Sequence, residues 1–221
     1  MSSSSFFSLP AENYKSNVDR GRINQNAQLI LTHLSKAKKS LPGNVFISNG
    51  GQSVSFYTVV TRGLYRKNLK ADGTGNILNF MQTDNRFDVL NRLPNFNQVN
   101  TNQDHLAIGQ TFSRLNGTST EFSIAFNSVS FPTEPVNQRF FIVDQWFKFS
   151  CDLPNKKLSV SSRLVSSGVT ITSVISDNLK SCHFSYNTTE GINGLLKISI
   201  GLEDISSSAS IAIVRDYAII E

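Results

Sequence analysis

The chain has 221 residues, 39% of them hydrophobic and 17% charged, with sixteen Phe against two Met, a net charge of +5 and a pI near 9.3. This length supports one good core, and a Phe-rich, Met-poor composition favours flat sheet packing over a helical core. No run approaches the roughly 18 apolar residues of a membrane span, so no span is expected.

In chain order, Met1–Asn17 is polar and Ser-rich with Phe6 and Phe7 isolated in it, a composition expected to form a flexible arm. Its start, MSSSSFFSL, has neither the basic nor the apolar region of a secretory signal, so a soluble protein made in the cytosol is expected. From Asp19 to Lys39 the residues Ile23, Ala27, Ile30, Leu31 and Leu34 recur at helical spacing, with Asp19 or Asn24 able to cap and Leu41-Pro42-Gly43 ending the run. One short amphipathic helix is predicted, and Lys36, Lys38 and Lys39 in its last turn suit the helix dipole. Residues 1–43 thus read as an N-terminal arm with a helix, and residues 44–221 as a β domain.

The period changes to two from Asn44. Val45–Ser48, a Gly50-Gly51 turn and Gln52–Thr61 form a predicted hairpin. Arg62–Lys70 (RGLYRKNLK) follows as a loop with four cations and Tyr65. Ala71–Gln103 carries Gly73, Gly75, Pro94 and eight Asn, and reads as a long connection interrupted by short elements at Asn76–Phe80 and Phe87–Leu93. Connections this long are often functional. His105–Ser113, Ser119–Phe131 and Arg139–Cys151 are predicted strands; the apolar phase of the second shifts near Asn127-Ser128, which predicts a bulge. Arg139–Cys151 is apolar on both faces, as a strand inside a sandwich should be. Leu158–Val165, Gly168–Ile175 and Ser181–Tyr186 continue the series.

At the C-terminus, Gly194–Asp204 alternates Leu196, Ile198, Ile200 and Leu202 with Lys197, Ser199 and Gly201, and Ala209–Glu221 (ASIAIVRDYAIIE) follows a turn. The last strand is apolar on nearly both sides, which predicts a place inside a sheet and not at its edge. About ten strands with regular turn signals predict an all-β fold, an antiparallel β-sandwich.

Candidate chemistry is sparse. Cys151 and Cys182 read as two buried thiols, with nothing in the sequence to bring them together; Cys151 with His183 is the one conceivable nucleophile–base pair. Cys182 and His183 are adjacent in a strand and point to opposite faces, so they cannot pair with each other. There is no CxxC, no HxxxH and no phosphate loop, so no catalytic residue, metal site or cofactor is assigned. Asn116-Gly-Thr and Asn187-Thr-Thr fit the glycosylation sequon but read as turns between strands. Glu203 and Asp204 before a turn could bind Ca²⁺ if a neighbouring subunit contributed oxygens, but solvation is the preferred reading.

The basic residues form the one constellation that points to a ligand. Residues 1–80 hold ten Lys+Arg and three Asp+Glu, a balance of +7, and residues 81–221 hold eleven and thirteen, a balance of −2. Lys15, Arg20, Arg22, Lys36, Lys38, Lys39, Arg62, Arg66, Lys67 and Lys70 are the candidate nucleic-acid contacts, because phosphate backbones need cations without exact spacing. The competing reading is a solvated basic surface.

A basic N-terminal segment followed by an eight-to-ten-stranded β domain ending in ASIAIVRDYAIIE resembles the single jelly-roll coat proteins of small icosahedral RNA viruses, particularly those of plants. The resemblance covers Asn44–Glu221 in overall pattern and rests on no diagnostic motif. It implies a jelly roll of two four-stranded sheets, self-assembly into a homo-oligomeric shell, sequence-independent RNA contact through the arm, and location in the virion and host cytoplasm. Met1–Lys39 departs from the pattern, with six cations relieved by Glu12 and Asp19 where such arms carry dense Arg/Lys clusters. Two alternatives stay open: a movement-type single-stranded nucleic-acid-binding protein, and a carbohydrate- or protein-binding sandwich.

Overall fold

The period-2 segments form antiparallel strands in the computed structural model, which describes residues 8–135, 137–189, 193–203 and 210–220. One helix, α1 (Ser8–Leu34), is followed by a 3-10 turn at Ser35–Lys39. The strands are β1 (Phe46–Ser48), β2 (Ser53–Leu64), β3 (Thr83–Asp88), β4 (His105–Ile108), β5 (Thr111–Arg114), β6 (Ser123–Ser130), β7 (Arg139–Asp152), β8 (Lys157–Leu164), β9 (Ile171–Ser176), β10 (Leu179–Thr189), β11 (Asn193–Glu203) and β12 (Ser210–Ile220).

The 14-residue strand β7 organises the molecule. On one side it pairs with β2 along nearly its whole length, from Leu64↔Arg139 to Ser53↔Ser150. On the other side its first half pairs with β4 (His105↔Val143) and its second half with β8 (Gln145↔Leu164), so the seven-stranded sheet forks at Asp144. The ladder of β2 on β7 shifts register on either side of Val59, a bulge of the kind that bends a strand and re-aims its side chains. A meander β10-β11-β12 and a ladder β3-β6 complete the sheets. The sheets therefore hold seven, three and two strands, where the resemblance implies two of four.

Alternation explains where the core sits. In the second half of β7, Phe147, Phe149 and Cys151 alternate with half-buried residues and share a core with Val54, Phe56, Leu158 and Val160 together with Leu196, Ile198, Ile200 and Leu202 of β11. This is a sheet-on-sheet core closed by α1. In the first half, Phe140 to Val143 are all buried, because both faces are covered: Phe140 and Ile142 join Tyr65, Phe87, Ile124, Phe126 and Phe131, while Phe141 and Val143 join Leu41 and Ala107. The second core is ring-rich, with Phe87 edge-on to Phe140 at 5.0 Å and Phe126 to Phe131 at 5.7 Å.

Several expectations need correction. The helix starts at Ser8, well before Asp19, so residues 8–17 are helix backbone and not a flexible arm; Met1–Phe7 lie outside the described residues. The helix then ends at Leu34, and the lysines follow in a 3-10 turn. Burial supplies the stabilisation that the polar arm composition lacks, because Ile23, Ala27, Ile30 and Leu34 at i, i+4, i+7 and i+11 all enter the first core. His105–Ser113 is not one strand but the hairpin β4–β5, turned at Gly109, whose φ of 58° suits glycine. The bulge expected in β6 is present: its ladder passes from Asp84↔Val129 to Arg86↔Ala125.

The last strand is also placed differently. Among the described residues β12 pairs only with β11, at the edge of its sheet. Ile213, Tyr217 and Ile219 are buried against the first core, while Ala212, Val214, Asp216 and Ala218 are exposed, with Val214 60% accessible. Apolar content on its second face reflected small or solvent-tolerated residues, and the buried centre of that sheet is β11. Cys151 and Cys182 are not free thiols but a disulfide, Cα to Cα 6.3 Å, which joins the end of β7 to β10 and so staples the two sheets of the first core. No sequence spacing announces it, because the two cysteines meet only when the sheets stack. The bond also removes the Cys151–His183 pair from consideration.

Candidate nucleic-acid interface

Ala37 is fully buried and anchors the 3-10 turn, which forces Lys36, Lys38 and Lys39 outward into solvent. Ser40 Oγ donates to the Ala37 carbonyl at 2.7 Å, and Leu41 N donates to the Tyr57 carbonyl at 2.8 Å, fixing the turn against β2. The bulge in β2 leaves Arg62 exposed near the end of the strand, beside Gly63, where a Cβ would stand 2.7 Å from the Phe140 ring. Arg62 is therefore a strand residue and not part of a loop. Buried Thr61 donates its Oγ1–H to the Pro94 carbonyl at 2.6 Å and holds segment 94–98 against β2, with Asn95 in the left-handed region at φ 53°.

These pieces enclose an open groove of about 560 Å³ whose lining includes Lys38, Lys39, Arg62, Asn95, Gln98 and, from β12, Ala218. Among the described residues three cations line it and no carboxylate does. A smaller recess of about 140 Å³ beside it takes in Lys36 and Lys39 and reaches Asp144, which accepts the Thr58 Oγ1–H at 2.5 Å.

Behind that recess the fork of the sheet places Asp104, at the start of β4, next to Asp144. Asp104 is 5% exposed and accepts the Asn100 N–H at 2.8 Å. Burial, opposed by that hydrogen bond and reinforced by the Asp144 charge, pushes its pKa up to about 6. The His33 imidazole, half-buried on α1, is held below its ordinary value by burial and by Lys36.

The ten predicted basic residues divide into separate groups. Lys36, Lys38, Lys39 and Arg62 converge on the groove and its recess. Arg66 and Lys70 open instead onto a pocket on the other side of β2's end, together with Arg92. Lys67 is paired with Glu134 at 2.7 Å, and burial, reinforced by Glu134, raises the Tyr65 pKa. Arg20 and Arg22 are exposed on α1, Arg20 beside Ile211, and the Lys15 side chain lies outside the described residues. Glu203 is paired with Lys180 at 3.0 Å, and Asp204 lies outside the described residues. Among the described residues no three His, Cys, Asp or Glu cluster as a metal site would need, and no helix is long and apolar enough to cross a membrane.

Sequence reading missed Arg92, segment 94–98 and Ala218, which come from the long connection and from the last strand. The hydrogen bond from Thr61 and the packing of β12 bring segment 94–98 and Ala218 to the groove, and Arg92 reaches the pocket of Arg66 and Lys70 instead, so no local pattern marks them. Comparison with protein-family models, with curated proteins and with solved structures finds no match.

Proposed function

We propose that the chain is a structural, RNA-contacting subunit of the viral-coat type, and that the groove between the 3-10 turn, β2 and segment 94–98 is where the phosphate backbone of a single strand lies. The observation that carries this reading is the convergence of Lys38, Lys39 and Arg62 on one trough that no carboxylate lines among the described residues. An open trough with cations and few directional partners suits a repeating anion read without regard to base sequence. The Cys151–Cys182 disulfide agrees with a protein that functions outside a reducing compartment, as a virion surface does. The outer edge of β12, which no other described strand pairs with, offers backbone groups for assembly.

The test is binding of unstructured RNA at several salt concentrations, with electron microscopy of the same preparation. Affinity is expected to be nearly independent of sequence and to fall with salt. Replacing Lys38, Lys39 and Arg62 by Gln should flatten the slope of log K against log salt by about 2, from roughly 0.7 per phosphate contact. Shells in the micrographs support the coat reading, and small oligomers with intact RNA binding support a movement-type protein instead. Absence of RNA binding at low salt, or a slope unaltered in the triple variant, removes the groove from both.

A further inference from the structure

The pocket at the far end of β2 is built from backbone hydrogen bonds that fix its walls independently of the groove. Arg66 N donates to the Asp88 carbonyl at 3.0 Å, Val89 N to the Phe122 carbonyl at 2.9 Å and Leu93 N to the Glu121 carbonyl at 2.8 Å. The cavity, about 370 Å³, falls in the range of small-molecule sites and takes in Arg66, Lys70, Arg92, Asp88, Phe122 and Ser123. Among the described residues three cations thus face one carboxylate. That carboxylate is engaged, since the Asn76 N–H donates to it at 3.2 Å and the Asn76 amide at 3.5 Å. Arg92 gives Nε–H to Glu121 at 2.7 Å, which orients its guanidinium.

Two features ask for a ligand. The Nε–H of Arg66 is buried and has no acceptor among the described residues, and a buried donor without an acceptor is costly. Phe122 is 55% exposed beside the cations, a large ring left in water at the mouth of an electropositive pocket. A cation cluster with an exposed aromatic is the combination that holds a phosphate and stacks the attached base.

We propose that this pocket binds a nucleoside monophosphate group, its phosphate received by Arg66, Lys70 and Arg92 and its base stacked on Phe122. The group could belong to a free nucleotide or to the 5′ end of an RNA strand. The pocket is distinct from the Lys38–Arg62 groove, so it stands or falls separately from the strand-binding reading.

The experiment is calorimetric titration of the full chain with adenosine 5′-monophosphate, adenosine and inorganic phosphate. The monophosphate should bind at least tenfold more tightly than either part, at about the size one stacked base contributes. Phe122→Ala should bring the monophosphate down to the level of inorganic phosphate. Lys70→Gln should weaken monophosphate and phosphate together, and both side chains are exposed, so neither change threatens the fold. The Lys38, Lys39 and Arg62 triple variant should bind the monophosphate as the unaltered chain does. A 5′-phosphorylated oligoribonucleotide compared with its 5′-hydroxyl form separates the sources: a preference for the phosphorylated strand upholds a strand-end site, and exclusion of both with retained monophosphate binding upholds a free-nucleotide site. No monophosphate binding up to about 10 mM, binding no tighter than phosphate, or equal binding by Phe122→Ala overturns the proposal.

Discussion

Reducing the Cys151–Cys182 disulfide perturbs the one covalent tie between the seven-stranded sheet and the β10-β11-β12 meander among the described residues. The bond closes a loop whose ends are 31 residues apart in sequence, and the chain-entropy relation then gives about 3.7 kcal/mol at 25 °C for the constraint it places on the unfolded chain. For a protein of this size each kcal/mol moves the melting temperature by about 2–4 °C, so a loss of roughly 7–15 °C is expected. The sheets themselves should persist, because Phe149, Leu158, Leu196, Ile198 and Ile200 still pack between them. Cys151 is nearly buried, so Cys151→Ala with Cys182→Ala adds a small cavity cost that reduction alone does not. The assay is thermal unfolding followed by circular dichroism, on oxidised protein, on protein held in reductant and on the double variant. Melting of the reduced protein within about 2 °C of the oxidised form would show that the stacking of the sheets does not restrict the chain as argued.

Other consequences follow from single sites. Asp104 has a folded-state pKa raised to about 6 from an ordinary value near 4, so the folded chain binds more protons than the unfolded chain between these limits and stability falls as pH rises from about 4 to 6. The cost, present in full above about pH 6, is on the order of 3 kcal/mol; Asp104→Asn keeps an acceptor for Asn100 N–H and should flatten this part of a denaturant-midpoint profile, and an unchanged profile would refute the assignment. Ile213→Asp places a carboxylate at a position 5% exposed and paired opposite Ile200, which should cost several kcal/mol out of a total of about 5–15 kcal/mol; a soluble variant with an unaltered melting temperature would mean that β12 does not cover the core. Gly51→Ala meets both a φ of 89° and a Cβ 2.6 Å from the His183 ring and 3.0 Å from the Phe184 carbonyl, so a loss of about 1–3 kcal/mol in urea unfolding is expected, and none if the β1–β2 turn stands away from β10.

How much of this was legible before the fold was known differs by element. Alternation within a run determines which face of a strand can be buried, so β2, β7, β10 and β11 are readable from residues such as Leu196, Ile198, Ile200 and Leu202, and the all-β class follows from them. The bulge in β6 is readable for the same reason, since an inserted residue reverses the phase of its apolar positions. The basic excess of the first 80 residues is likewise a property of composition alone.

Tertiary structure decided what local periodicity does not encode. Whether Ala212 and Val214 face a neighbour or solvent depends on whether another strand pairs beyond β12, and none among the described residues does. The extension of α1 back to Ser8 depends on a sheet surface that receives Ile23, Ala27, Ile30 and Leu34, because an isolated polar helix of this kind is marginal in water. Cys151 meets Cys182 only where two sheets stack. Lys38, Lys39 and Arg62 share a groove, while Arg66 and Lys70 open elsewhere, because a bulge redirects β2 and the Thr61–Pro94 hydrogen bond brings a distant segment to its side. Charge content is additive along a chain, but the field that a ligand meets depends on which charges the fold places within a Debye length of one another and without intervening carboxylates.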